Sequence, residues 1–304
     1  MTISQRKPKR TAKNSKRSKR PKPLGTIWYV SDSLWERILP IFQAFWPDKP
    51  TGRPVGDWRQ ILNGIIFRMR SGCQWDHLPR KYGPKSTVHD WFQRWCQGGV
   101  MRLIWAELVT ECDELGGVDW EWQSADGWLG KARFGGEKVG KNPTDRGKAG
   151  TKKSVLVDGE GGPLGAVIDG ANVPDAQLLR ATIEAIVVDP PKPTTESPQH
   201  LCLDKGYDNP TARETLAGTT YIPHVPKIKE DHKPVDRSKG HKPRRWVVER
   251  TLAWLSKCRA ILIRYDKKHE NYLGLLQLAC ALLWYRRLHR MGRCDATSYQ
   301  QDTS

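Results

Sequence analysis

Three acidic side chains stand where a fold can put them to use. Asp204 closes the apolar run of "HLCLDKGYDN" (residues 200–209), Asp126 is reached by the alternation Trp120, Trp122, Ser124 of "WEWQSADGW", and Glu249 lies beside the apolar stripe Val248, Leu252, Leu255 of "RRWVVERTLAWLSKC". A carboxylate at the C-terminal end of a buried strand costs little, because the chain is leaving the sheet, and open α/β sheets present their chemistry there. If the two strands are parallel neighbours, Asp126 and Asp204 sit side by side, and Glu249, on a helix closing over the sheet, completes a cluster. Converging carboxylates repel one another unless a cation joins them, and oxygen-only ligands suit Mg²⁺, with Mn²⁺ as a substitute. Two such ions about 3.5–4 Å apart serve phosphodiester hydrolysis and transfer, activating water or a 3′-hydroxyl on one side and stabilising the leaving oxygen on the other. Taken singly, each acid has a plainer reading. Asp204 alone fits a turn cap through Gly206, Asp175 a helix N-cap, Asp158 and Asp169 turn positions flanking a hairpin, and Asp208 a support for the Asp204 loop.

These acids need a scaffold, and the pattern of apolar residues supplies one. Residues 118–225 carry strand-like runs bounded by Gly and Pro: "WEWQSADGW" with Asp126 at its end, then Ser154 to Val157 and Leu164 to Ile168 as a β-hairpin, the "HLCLD" run, and "TYIPHV". Helices are expected from Asp175 to about Val187, near Thr211 to Ala217, and from "RRWVVER" onward. "DPPKPTTESPQ" reads as a surface loop, and "YLGLLQLACALLWYRRL" as a core helix, too short and too polar at Gln277 for a membrane span. The expected class is α/β, a mixed sheet with flanking helices, preceded by an all-helical segment.

That segment is rich in tryptophan. Ser31 can cap a helix burying Leu34, Ile38 and Phe42, and a second helix ends at Ser71-Gly72. "WDHLPRKYGPKSTVHDWFQRW" then reads as a break at Gly83-Pro84 followed by a helix capped by Ser86 or Thr87. Lys85, His89, Gln93 and Arg94 point outward from it. This order fits a helix-turn-helix entering the major groove, and equally an ordinary helical hairpin.

Charge names the partner. The 304 residues carry a net charge of +18, and residues 1–23 hold ten Lys or Arg and no acid. A surface of this sign attracts a polyanion, since neutralised phosphates release condensed counterions, so double-stranded DNA is the expected partner. The expected domains are a disordered basic tail (1–27), a helical DNA-binding domain (28–117), a catalytic α/β domain (118–290) and a flexible C-terminal tail (291–304). The tail is either an arm along DNA or merely solubilising. Seven scattered cysteines without a C-x-x-C pair point to free thiols, and the histidines lack the spacing of a zinc site. No membrane span is expected, and the chain is placed in the cytoplasm, associated with the nucleoid. The Gly- and Lys-rich stretch 135–150 lacks the Walker consensus, so no nucleotide cofactor is expected. Its Lys148, and Lys152 just beyond, are read as lying along DNA.

In order and spacing, "NPTDRGKAGTKKSVLVDGEGGPLGAVIDGANVPD", "HLCLDKGYDN" and "RRWVVERTLAWLSKC" resemble the DDE transposases of bacterial insertion sequences, the type-five group of the type-four superfamily. The resemblance runs from Tyr29 to Leu288. It implies a ribonuclease-H-like core with two metal ions held by Asp126, Asp204 and Glu249. It also implies phosphate contacts by Arg250 and the other basic residues of that helix, Arg245 and Lys257 among them. A transposase of this kind binds terminal inverted repeats, cuts strands and transfers them, and a homodimer on DNA is expected because two ends must be held together. The sequence departs from the family at Trp246, where a Tyr is common, and at Ser256-Lys257-Cys258, where Lys257 replaces an Arg and loses its bidentate fork. Two rivals remain: a nuclease of the same fold that hydrolyses without joining, and a catalytically decayed copy that only binds DNA.

Overall fold

The structure, a computed structural model, describes residues 24–47, 56–227 and 245–294. The basic residues 1–23, and most of the polar stretch expected between Pro226 and Arg244, lie outside the described residues.

Four helices open the chain. The Ser31 side chain accepts the Leu34 N–H and starts α1 (Asp32–Phe45), which buries Leu34, Ile38 and Phe42 as its spacing requires. Asp57 caps α2 (Trp58–Ser71), and Gly72, at φ 69°, ends it in the left-handed conformation that only glycine adopts freely. α3 spans Lys85–Gln97 and α4 Val100–Glu114. Neither Ser86 nor Thr87 caps α3. The helix begins earlier, because the extended backbone of Pro84 takes the capping position and lacks a side-chain acceptor. Between α2 and α3 lie two 3-10 turns, Trp75–His77 and Arg80–Tyr82, drawn inward by the buried Leu78 and Tyr82. This connection is longer than the three or four residues of a tight helix-turn-helix.

The sheet follows. β1 (Trp122–Ala132) pairs antiparallel with β3 (Ala149–Asp158), which pairs antiparallel with β4 (Pro163–Gly170). On the other edge of β1, β5 (His200–Cys202) runs parallel, and β6 (Ile222–His224) runs parallel to β5. Two-residue strands, β2 (Gly140–Lys141) on β3 and β7 (Ile263–Arg264) on β1, complete it; they are too short for alternation to reveal them. The order β4-β3-β1-β5-β6 is the ribonuclease-H-like mixed sheet with flanking helices that was expected.

Alternation along β3 assigns the helices to the two faces. Ser154 receives a hydrogen bond from Thr182 of α5 (Asp175–Glu184), while Lys153, pointing the other way, reaches the carbonyl of Ile261 in α8 (Arg259–Leu262) and the hydroxyl of Tyr272 in α9 (His269–Arg290). α6 (Pro210–Ala217) packs on α5; α7 (Trp246–Ser256) crosses β1 and β3 on the α8–α9 face.

One continuous core links the helical segment to the sheet, so residue 117 marks a change of secondary structure and not a gap in packing. Trp105 of α4 and Trp284 of α9 both donate to the carbonyl of Pro163 in β4, at 3.0 and 2.6 Å. Asp158, fully buried, pairs with Arg287 of α9 and accepts the N–H groups of Asp119, Glu160 and Gly162, which makes it the organiser of the β3–β4 turn. The described ends of the chain, residues 24–27 and 291–294, which were expected to belong to the tails, are packed on the body. Ile27 is buried and the Leu24 carbonyl accepts from Arg286 at 2.7 Å, while Cys294 is buried and the Arg293 carbonyl accepts from Arg37 at 2.8 Å. All seven cysteines are free thiols. Among the described residues no helix is long and apolar enough to cross a membrane.

Candidate active site

Asp126 does not end its strand. The ladder between β1 and β3 continues to Lys131↔Gly150, which leaves Asp126 in the middle of an eleven-residue strand. It is β5 that stops early, at Cys202, so Asp204 stands two residues past a strand end. In the parallel β1–β5 pair Ser124 is matched with Cys202. Asp126 and Asp204 each lie two residues beyond that last matched pair, and the charge of Asp204 is felt at Asp126.

The two acids are held differently. Asp204 caps the 3-10 turn Lys205–Tyr207, its Oδ1 accepting the Gly206 N–H at 2.8 Å. Behind it, the Arg213 guanidinium pairs with Asp208, the support expected for this loop. Asp126 Oδ1 accepts the N–H of Gly127 at 2.7 Å. Burial pushes the Asp126 carboxyl up to about 6; Asp204 and Asp175 add to the rise, while the Gly127 N–H and Arg245 oppose it.

Asp175 is the member that sequence reading misplaced. It is the first residue of α5 and not its cap, a position taken by the extended backbone of Pro174. Its carboxylate lies so close to β1 that a Cβ on Gly127 would come within 1.9 Å of Oδ1. A side chain there would displace this carboxylate, so the glycine following Asp126 leaves it room, and this was the available signal. Lys152 pairs with Asp175 at 2.8 Å and is buried. Expected on DNA, it serves instead as the counterion of a half-buried acid, because even-numbered positions of β3 face α5.

Glu249 lies on the exposed side of α7, paired with Arg245 one turn earlier at 2.7 Å. Arg245 thus touches Glu249 and electrostatically opposes the rise at Asp126. The described geometry joins Asp126 to Asp204 and leaves Glu249 on Arg245; among the described residues no three His, Cys, Asp or Glu converge tightly enough to hold one metal ion. The donor chemistry of the pair nonetheless fits a hard divalent cation. Both side chains offer oxygen only, and a half-buried Asp126 beside a second carboxylate carries charge that a cation would offset.

The remaining residues expected on DNA divide. On α7, Arg250 stacks between Trp246 and Trp254, its carbon 4.7 and 4.9 Å from the ring centres, and donates to the Glu160 carbonyl at 2.5 Å. Lys257 is exposed at the end of the same helix, and Lys148 is exposed in its loop. On α3 the outward cations are already engaged: Lys85 pairs with Asp76, and Arg94 with Asp90 at 2.9 Å. Exposed pairs of this kind contribute about 0–1 kcal/mol and exchange readily for phosphate. His89 is half-buried against Trp75, ring centres 4.7 Å apart, and burial lowers its pKa. Gln93 accepts from Lys268 of the α8–α9 face at 2.8 Å.

A mixed sheet of this order, with Asp126 within β1 and Asp204 just past the end of the parallel β5, fits the class of enzymes that cut and rejoin polynucleotide strands. Residues 117–284 match the family model described as "Transposase DDE domain", and residues 30–105 the one described as "Putative transposase of IS4/5 family". The chain belongs to the DDE transposases of the IS4/5 family. Among its relatives, "Putative transposase for insertion sequence element IS402" from Burkholderia cepacia is 35% identical over 163 residues, 52% of this chain and 74% of that protein. "Insertion element IS402 uncharacterized 16.2 kDa protein" from the same organism is 29% identical over 119 residues, 38% of this chain and 80% of that one. The crystal structure of the Mos1 mariner paired end complex with Mn aligns at 14% identity over 84% of this chain and 86% of that chain. Its TM-score is 0.26, too low for any detail to be carried over.

Proposed function

We propose that this chain is the transposase of an insertion sequence, which cuts DNA at the element's ends and directs the freed 3′-hydroxyl at target DNA. The observation that carries this reading is the parallel β1–β5 pairing, which sets Asp126 and Asp204 each two residues beyond the matched Ser124 and Cys202, near enough for Asp204 to add to the rise at the Asp126 carboxyl. These two acids, joined by Glu249 once Arg245 gives it up, would hold two Mg²⁺ ions, or Mn²⁺ in their place. When bound, such ions polarise the scissile phosphodiester and favour the ionised attacking and leaving oxygens. The chain's own residues do the rest. Gly127 gives Asp175 room beside β1, and Lys152 neutralises it, so that Asp126 keeps one acidic neighbour fewer in charge. Arg245, Arg250 and Lys257 line α7 as phosphate contacts for the strand being cut.

The helices α1–α4 recognise the terminal inverted repeats, with α3 offering His89, Gln93 and the exchangeable pairs of Lys85 and Arg94 to the duplex. Two copies of the chain, one on each end, hold the ends together, and no nucleotide takes part. A joining assay tests the reading: pre-cut labelled ends, a circular target, the full chain and Mg²⁺ or Mn²⁺. Transfer of label into the circle is the expected result. Hydrolysis without transfer would establish the nuclease alternative, and binding without either would establish the decayed copy.

A further inference from the structure

On the α7–α9 face, the row Trp246, Arg250, Trp254 leads away from Glu249 into a groove of about 730 Å³. Its floor holds Gly161 and Gly162 of the β3–β4 turn, and Trp28 and Trp254 form apolar walls. Around it stand Arg70 of α2, Lys257, Arg259 of α8, and Arg286, Arg287 and Arg290 of α9, with no Asp or Glu in the lining. Arg287 is neutralised by Asp158. Among the described residues, the other five cations take part in no ion pair.

Cations gathered in this way repel one another. Burial depresses the Arg286 guanidinium, with Arg70 and Arg290 adding to it; burial likewise depresses Arg250, with Arg290 and Arg287 adding. The Nε groups of Arg70 and Arg250 are buried without a hydrogen-bond partner. Such an arrangement is destabilising in isolation and is relieved by anionic oxygens that accept several guanidinium N–H groups at once. Leu24 lines the same groove, and the ten cations of residues 1–23 precede it in the chain. The tail therefore repeats the charge of the groove and supplies no anion to offset it.

α7 joins the two places. From Arg245, whose charge reaches Asp126, to Lys257 at the groove, twelve residues of helix rise about 18 Å, or about five base pairs of duplex at 3.4 Å each. We propose that this groove is a second DNA-backbone site, holding phosphates of the duplex about five base pairs from the strand presented to Asp126 and Asp204. The proposal rests on the transposase reading for what lies at the acids, but binding alone tests it.

The test measures the affinity of the full chain for a fluorescent duplex of mixed sequence across a range of salt concentrations. Arg259 and Arg290 are both exposed, so the variant Arg259→Ala/Arg290→Ala keeps the core intact. With two phosphate-neutralising cations removed, the slope of log affinity against log salt should become shallower by about 2, and affinity at low salt should fall about tenfold or more. Arg259→Lys/Arg290→Lys should keep the wild-type slope. The control Arg180→Ala/Lys192→Ala removes two exposed cations outside the groove, one of them on α5, and should leave the slope in place. An unchanged slope in the groove variant, at unchanged Tm, overturns the proposal, as does an equal loss in the control. Should Asp204→Ala retain full cleavage, the transposase reading fails while the groove result still stands.

Discussion

Asp126 and Asp204 each lie two residues beyond Ser124 and Cys202, the last matched pair of the parallel strands β1 and β5. The pairing puts the two acids on neighbouring segments, one in mid-strand and the other in a turn, close enough for Asp204 to add to the rise at the Asp126 carboxyl. Replacing Asp126, Asp204 or Glu249 by Ala should each lower divalent-dependent strand cleavage roughly a thousandfold or more, beyond the 10- to 100-fold typical of groups that only orient metal ligands. Duplex affinity should be unaffected. Gel-shift and cleavage assays on the same preparations separate the two effects, and loss of binding in step with cleavage would mean that these acids are structural.

The raised pKa of Asp126 carries a sign that can be checked. A carboxyl shifted from 3.8 to about 6 binds its proton more tightly in the folded chain. Its contribution to stability is present below about pH 4 and lost as pH rises through about 6. Without metal at pH 7, Asp126→Asn should therefore be the more stable protein, by on the order of 1–2 kcal/mol after screening of a partly exposed group. The advantage should vanish near pH 4. Mg²⁺ or Mn²⁺ should raise the melting temperature of the wild type and have less effect on the variant; an equal rise in both would separate the metal from this acid.

Lys153 offers the opposite sign. Burial, with Arg264 adding to it, brings its amine down to about 7, and its neighbours are the Trp128 ring at 3.8 Å, the Tyr272 hydroxyl and the Ile261 carbonyl. Between about pH 7 and 10.5 the unfolded chain binds the extra proton, so stability rises with pH across this window and the penalty is full below it. Lys153→Met should stabilise the protein by about 1–3 kcal/mol at pH 7, the scale of an imperfectly compensated buried polar group. The gain should shrink towards pH 10. Tyr272 still donates to the Ile261 carbonyl at 2.5 Å, so no acceptor is orphaned. Denaturant melts at three pH values measure it.

Asp158 and Arg287 form the buried pair that closes the sheet onto α9. Asp158→Ala leaves a buried guanidinium and several turn N–H groups without their acceptor and should cost about 3–5 kcal/mol. Adding Arg287→Met should restore part of that loss, since the stranded charge is then gone. A double-mutant cycle in chemical denaturation gives the coupling, and strict additivity would show that the pair does not act as a unit.

The sequence by itself determined most of the longer elements and their order, but not the two-residue strands β2 and β7. Helical stripes such as Leu34, Ile38 and Phe42, the Ser31 cap, the stop at Gly72 and the β3–β4 hairpin are written within a few residues of one another, where burial and backbone preference act locally. It also determined the family, the three acids to examine and the expectation of a polyanionic partner, because residue type and net charge survive any folding. What only the tertiary structure decided depends on residues far apart in the chain. The parallel pairing of β1 with β5 sets Asp126 and Asp204 two residues beyond Ser124 and Cys202. The approach of α5 puts the Asp175 carboxylate in the space beside Gly127 and turns Lys152 inward, and the pairs at Asp76, Asp90 and Arg245 engage Lys85, Arg94 and Glu249. No local periodicity encodes such distances; they follow from how two faces of one sheet are covered.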